Sequence, residues 1–158
     1  MELKSIGTIH TPYKNNDAPF QPPQNTEGKE FFIELDEQYL EGLKDLETLK
    51  YIYLLYYLDQ SQEPTSLTVK TPWSNKEIGL FATRSPNRIN SIGLSVVELL
   101  KIEANRIYIS SLDTFDGTPL LDIKPYMKDL DTKADANHGW LEKEDFKHLQ
   151  LHIDGEAH

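Results

Sequence analysis

The chain has 158 residues, with 16 Lys and Arg against 26 Asp and Glu, a formal charge of -10 and no cysteine. That length supports one hydrophobic core, and the missing thiol excludes disulfides, zinc–thiolate and iron–sulfur centres and cysteine nucleophiles. No apolar run approaches the roughly 20 residues of a membrane helix, and Glu2, Lys4 and Asp17 stand where a signal peptide would be apolar, so a cytoplasmic protein is expected.

In chain order, Leu3, Ile6 and Ile9 make residues 2–9 a short strand, stopped by Thr11-Pro12. Residues 14–28 are polar and Pro-rich, a surface loop long enough to be a lid over something bound. A strand over 30–35 leads to Asp36, a candidate helix cap, and Leu40, Leu43 and Leu46 suggest a helix over 38–49. Residues 50–58, with Tyr51, Tyr53, Tyr56 and Tyr57, are apolar on both faces and read as a central strand.

Short strands are expected over 66–70 and 78–83, on either side of a turn at 71–75. Residues 93–102 and 106–111 form a hairpin around Glu103-Ala104-Asn105, with Asn105 suited to a left-handed conformation. Asp116-Gly117 turns the chain into a last strand over 120–123, and Trp140, Leu141, Phe146, Leu149 and Ile153 pattern the tail as a terminal helix or an extended arm. Seven short strands with one or two peripheral helices predict a mainly β fold, a small antiparallel β-barrel or strongly curved sheet. One domain is expected over 1–131, with 132–158 a tail or helix packed on it.

Charge weighs against nucleic acid, whose affinity comes largely from Lys and Arg. Yet it is uneven: residues 1–69 carry 5 Lys against 12 acids and residues 107–158 carry 5 against 11, whereas residues 70–106 carry 6 Lys and Arg against 3 acids. A basic island on an acidic molecule permits a locally positive surface, and is equally compatible with ordinary solvated charge.

Two segments are dense in chemically able residues. Residues 81–95 (Phe-Ala-Thr-Arg-Ser-Pro-Asn-Arg-Ile-Asn-Ser-Ile-Gly-Leu-Ser) offer donors for carboxylate, ribose or phosphate oxygens. Residues 111–126 hold Asp113, Asp116 and Asp122, which can accept from ribose hydroxyls or an ammonium group or attract a cationic sulfur. By themselves these patterns equally fit a turn, a solvated loop and an Asp122–Lys124 pair.

Read together and in order, Ile-Gly-Thr-Ile-His-Thr-Pro-Tyr-Lys at 6–14, Ala-Pro-Phe-Gln at 18–21, Phe-Ala-Thr-Arg-Ser-Pro at 81–86, Asn-Ser-Ile-Gly-Leu-Ser at 90–95 and Asp-Gly-Thr-Pro-Leu-Leu-Asp-Ile-Lys-Pro-Tyr at 116–126 resemble the TrmO family, also called TsaA-like or YaeB. The likeness runs from residue 5 to about 131. It implies a homodimeric β-barrel enzyme, unlike the Rossmann-like methyltransferases, which uses S-adenosylmethionine and no metal to methylate N6 of N6-threonylcarbamoyladenosine at tRNA position 37. Where the family loop carries two prolines, this chain has Ile89 and Ser91. It also ends soon after the barrel motifs, while longer bacterial members carry an additional C-terminal domain.

Carried over by position, the resemblance implies cofactor contacts from Gln21, Pro22 and Pro23, from Asp59 and Gln60, from Arg84 and Leu94, and from Asp116, Gly117, Thr118 and Pro119. Arg84 suits the methionine carboxylate, Asp59 or Asp116 the ribose or amino group, and Gly117 and Thr118 the adenine. Arg88, Asn90 and Lys124 are expected on the tRNA side. The proton leaving N6 has four candidate acceptors, His10, Tyr13, Asp113 and Tyr126, among which the residues do not choose. A module that binds S-adenosylmethionine or a nucleotide without catalysis is the alternative, favoured by the acidic charge and the substituted prolines; a purely structural interaction protein is a weaker one.

Overall fold

Ile52, Leu54 and Tyr56 are buried while Tyr51, Tyr53, Leu55 and Tyr57 are not, the period-two pattern of a strand lining a shared interior. A computed structural model describes residues 1–14, 17–19, 22–70 and 75–143. Its strands are β1 (Gly7–His10), β2 (Phe32–Leu35), β3 (Tyr51–Tyr57), β4 (Thr68–Lys70), β5 (Glu77–Gly79), β6 (Ile92–Glu103), β7 (Arg106–Ile109) and β8 (Thr118–Pro125). Six of them pair antiparallel in the order β1-β2-β7-β6-β3-β8, and β8 pairs back onto β1, closing the sheet as a barrel. The mainly β expectation is met. The strands at 66–70 and 78–83 are shorter than expected and form a separate ribbon, β4–β5.

Closure depends on β6. Its 12 residues pair with β3 through Ile92–Glu98 and with β7 through Leu99–Glu103, with a register shift between Leu99 and Lys101. One bent strand therefore serves two neighbours. Inside lie Ile9, Ile33, Leu35, Ile52, Leu54, Tyr56, Val97, Ile107, Ile109 and Leu120, joined by Tyr13, Phe31 and Leu112 from the connections. Tyr56 crosses directly over Gly93: a Cβ there would stand 2.0 Å from the Tyr56 Cε2. The glycine in the 90–95 motif makes room for that ring.

Several expectations need correction. Residues 38–49 form two 3-10 helices, Glu37–Leu43 and Leu46–Thr48, broken at Asp45 with φ 67°. The leucines at 40, 43, 46 and 49 recur every three residues, the 3-10 period and not that of an α-helix; Leu43, Leu46 and Leu49 pack on the core, and Asp36 makes no side-chain cap bond. In the β6–β7 hairpin the left-handed residue is Ala104 (φ 53°), not Asn105. Asn105 is held by β2 instead: its Nδ2 donates to the Leu35 carbonyl at 3.1 Å and its own carbonyl accepts from the Leu35 amide at 2.9 Å. β3 is central but buried on its inner face alone, with Tyr51 and Tyr57 exposed. Beyond the barrel come α1 (Lys128–Asp131) and a 3-10 turn at Gly139–Lys143; Phe146, Leu149 and Ile153 lie outside the described residues. Among the described residues no helix is long and apolar enough to cross a membrane, and no group of three or more His, Asp or Glu side chains could hold a metal ion.

Candidate functional site

Antiparallel pairing places the C-terminal ends of β1, β3 and β7 and the N-terminal ends of β2, β6 and β8 on one rim. The connections 11–31, 58–91 and 110–117 all open there, so the two segments dense in Arg, Asn, Ser and Asp converge despite lying far apart in the chain. Residues 36–50, 104–105 and 126 belong to the opposite end.

The end of β1 is fastened to the 110–117 connection by short polar bonds. The Thr11 hydroxyl donates to the Thr114 carbonyl at 2.7 Å and accepts from the Tyr13 amide at 3.2 Å. Asp116 Oδ1 accepts from the Thr11 amide at 3.1 Å and lies 3.1 Å from His10 Nδ1, while the Asp116 amide donates to the Tyr13 carbonyl and the Gly117 amide to the Ile9 carbonyl. Gly117 has φ 89°, which only glycine adopts without strain, and the space where a side chain would stand is open. The Thr118 hydroxyl is spent on the Phe115 carbonyl at 2.7 Å.

Within this frame sits a half-buried carboxylate, Asp113, between buried Leu112 and Thr114. Burial pushes it up to about 6, opposed by its own backbone N–H and by the positive charge of Arg84. Arg84 is exposed on the 58–91 connection. Burial drives the Tyr56 hydroxyl up to about 12 against its 2.8 Å hydrogen bond with Ser95 Oγ, and Asp113 adds to the rise. Burial, then Asp113 and Asp17, raise Tyr13 as well. Among the described residues two buried hydroxyls, those of Tyr13 and Thr114, have no hydrogen-bond partner, and a buried hydroxyl without one is costly.

The expected contacts divide. Arg84, Asp116 and Gly117 belong to the rim, as do the exposed turn residues Asp59 and Gln60 and the half-buried Pro22 and Pro23; Gln21 lies outside the described residues. Thr118 and Pro119 pair with β1 at the rim, but the Thr118 bond leaves its hydroxyl no donor for an adenine edge. Leu94 lies on the outer wall opposite Leu55, on the other face from Ser95. Arg88 is occupied inside its own loop, where Nη1 donates to the carbonyls of Thr83 at 2.8 Å, Leu80 at 3.3 Å and Ser85 at 3.4 Å. Asn90 is exposed beside it. Lys124 pairs with Asp122 at 2.9 Å on the half of β8 away from the rim. Tyr126 is at the opposite end, its ring against Tyr51 and Tyr53.

Tyr56 is a site-lining residue outside every motif, and its partner Ser95 closes the 90–95 motif without having been singled out. Their signal was the alternation Ile52, Leu54, Tyr56, which forces a phenol into the interior, where it needs a partner. The Trp140 indole N–H donates to the Ala82 carbonyl at 2.8 Å, fastening the segment after the barrel to the loop that carries Arg84. A polar cleft of about 190 Å³ runs between residues 62–69 and Ser85 and Asn87.

A sulfonium nucleoside with an amino-acid tail fits this set of groups: an exposed guanidinium for its carboxylate, open backbone at Gly117 and a carboxylate for a positive charge.

Residues 8–132 match the family model described as tRNA-methyltransferase O N-terminal domain. A probable S-adenosyl-L-methionine-binding protein of Archaeoglobus fulgidus is 42% identical over 144 residues, which are 90% of this chain and 38% of that protein. The tRNA (adenine(37)-N6)-methyltransferase of Escherichia coli is 33% identical over 151 residues, 89% of this chain and 64% of that enzyme. A crystal structure of TrmO superimposes with a TM-score of 0.72 at 36% identity, covering 88% of this chain and 63% of that one. The chain thus spans less than two thirds of the length of each of these three.

Proposed function

This chain belongs to the tRNA-methyltransferase O family, and from that premise we propose that it is a tRNA methyltransferase acting on N6 of N6-threonylcarbamoyladenosine at position 37. The observation that carries the reading is the half-buried Asp113 carboxylate, within the field of the Arg84 charge, on the rim where the two motif-bearing connections meet. S-adenosylmethionine supplies a methyl group on a positively charged sulfur. Arg84 holds its carboxylate, and the open backbone at Gly117 admits the nucleoside.

Methylation of N6 would release its proton, and Asp113 is the group that takes it up. A carboxylate whose proton affinity lies near neutrality suits that task better than an ordinary one. The competing candidates have other duties: the His10 ring nitrogen is engaged by Asp116, the Tyr13 phenol is raised and holds its proton, and Tyr126 is at the wrong end. Placement of the reacting groups supplies roughly 7–11 kcal/mol of such a barrier.

The protein works as a homodimer in this reading. Leu94 and Val96 are 52% and 48% exposed on the outer wall, beside Tyr53 and Leu55 of β3, and a contiguous apolar sheet face of this kind marks an interface. A non-catalytic S-adenosylmethionine-binding role is the second reading, favoured by the likeness to the probable S-adenosyl-L-methionine-binding protein of Archaeoglobus.

Labelled S-adenosylmethionine incubated with the protein and with tRNA bearing or lacking the threonylcarbamoyl group tests both. Label entering the modified tRNA alone is the expected result. Cofactor binding without transfer to either RNA establishes the second reading, and transfer to both removes the substrate assignment.

A further inference from the structure

The outer wall over β1, β2 and β7 carries a feature that barrel stability does not require. His10, Phe32 and Tyr108 stand in register as one cross-strand row, which Lys101 of β6 continues. The His10 and Phe32 rings stack with centroids 4.8 Å apart and planes at 26°, and Phe32 and Tyr108 follow at 5.6 Å. The Arg106 guanidinium lies 4.8 Å from the Phe32 centroid and the Lys101 ammonium 4.6 Å from that of Tyr108. The inward partners of this row, Ile9, Ile33 and Ile107, already fill the core, so the outward positions need no rings.

Three features point to a ligand with stacked planar groups and negative charge. The rings are only half-buried, so their faces still border water. Arg106 and Lys101 close the basic island of residues 70–106, the one stretch where positive charge exceeds negative. Their acidic neighbours, Glu34 at 3.9 Å from Arg106 and Glu103 at 3.1 Å from Lys101, form exposed pairs of a kind that contributes little, and Glu30 acts on both cations as well, so the rings rather than net charge carry the contact. The row also starts at the site, since His10 is held by Asp116.

We infer that the His10–Phe32–Tyr108 row with Arg106 and Lys101 is a stacking platform for unpaired RNA bases, seating the loop nucleotides next to the adenine that enters the rim. This rests on the tRNA reading above and specifies where the loop lies. Single-stranded RNA is held in this manner, by bases on aromatic or guanidinium planes and phosphates on flanking cations. It accounts for an acidic protein handling RNA: the contact is dominated by stacking, with only two cations at the row.

The test is fluorescence anisotropy with a labelled anticodon stem-loop RNA carrying N6-threonylcarbamoyladenosine at position 37, alongside calorimetry of S-adenosylmethionine binding. Tyr108→Leu and Arg106→Ala each weaken RNA binding on the order of tenfold, the loss of about one stacked base, while cofactor affinity stays at the wild-type value and reports an intact fold. Arg106→Lys keeps the charge and loses the plane, so it falls between wild type and Arg106→Ala. Undiminished RNA binding by both Tyr108→Leu and Arg106→Ala overturns the platform and leaves the methyltransferase reading standing. Wild-type protein that binds the cofactor but no stem-loop RNA refutes both. Dissociation of a dimer in the Tyr108→Leu variant, seen by sedimentation, reassigns the wall to a second copy of this chain.

Discussion

The outer wall of the barrel presents two surfaces that differ sharply although one sheet makes both. Over β3 and β6, Tyr53, Leu55, Ile92, Leu94 and Val96 form an apolar strip bordered on β8 by the Lys124–Asp122 pair; over β1, β2 and β7 the rings of His10, Phe32 and Tyr108 lie beside Arg106, Lys101 and their acidic partners. The inward positions of both halves are the same kind of aliphatic residue. The fold therefore constrains the inside alike all round and leaves the outside free, so a difference between outer faces reflects what each meets. The apolar half suits a protein surface, the ring-and-cation half a polyanion with flat bases.

The rim shared by both walls is where the largest effect is expected. Asp113→Asn lowers the methyl-transfer rate by roughly 10²–10⁴, and the rise of wild-type activity as pH climbs through about 6 vanishes in the variant. A variant rate within a few-fold of wild type removes Asp113 from the chemistry. On the apolar wall, Val96→Asp buries an unpaired charge in the proposed dimer contact and weakens it by about a hundredfold or more, read by sedimentation equilibrium. The same change at Tyr108 leaves the mass unaltered, and an equal effect at both positions erases the distinction between the walls.

The interior supplies two further checks, because it should respond alike whichever wall is disturbed. Asp113 binds its proton more tightly folded, at about 6, than unfolded, near 3.9. Its contribution to stability is full below about pH 4 and is lost as pH rises through 6, a change of roughly 3 kcal/mol that denaturant melts across this range detect and that Asp113→Asn abolishes. Gly93→Ala drives a methyl into the Tyr56 ring and costs about 1–3 kcal/mol, seen as a lower urea midpoint. An unchanged midpoint means the ring swings aside freely.

Much of this was legible in the residues, for reasons that differ by element. β3 announced itself through β-branched and aromatic residues, and the β6–β7 hairpin through two apolar runs with a tight connection. The convergence of Arg84 with the 110–117 segment was implied by motif order and becomes physical only through strand direction. Other features were hidden because they depend on partners distant in sequence. Nothing local reveals that Asn105 is held by Leu35, so the left-handed residue was misassigned between neighbours. Arg88 looked like a ligand contact until its own loop's carbonyls were seen around it. The leucine spacing of three was visible, but a chain of four is short evidence against the commoner helix. The ring row over β1, β2 and β7 was invisible because its members are contributed by separate strands.

The long strand β6 is hydrogen-bonded to both halves of the barrel. Neither half can therefore open by itself without tearing the strand they share, and the backbone amides along it should surrender their protons to deuterium only when the whole barrel lets go. The β4–β5 ribbon hangs outside that closed circuit, so its amides exchange first and the order of exchange reads out the architecture.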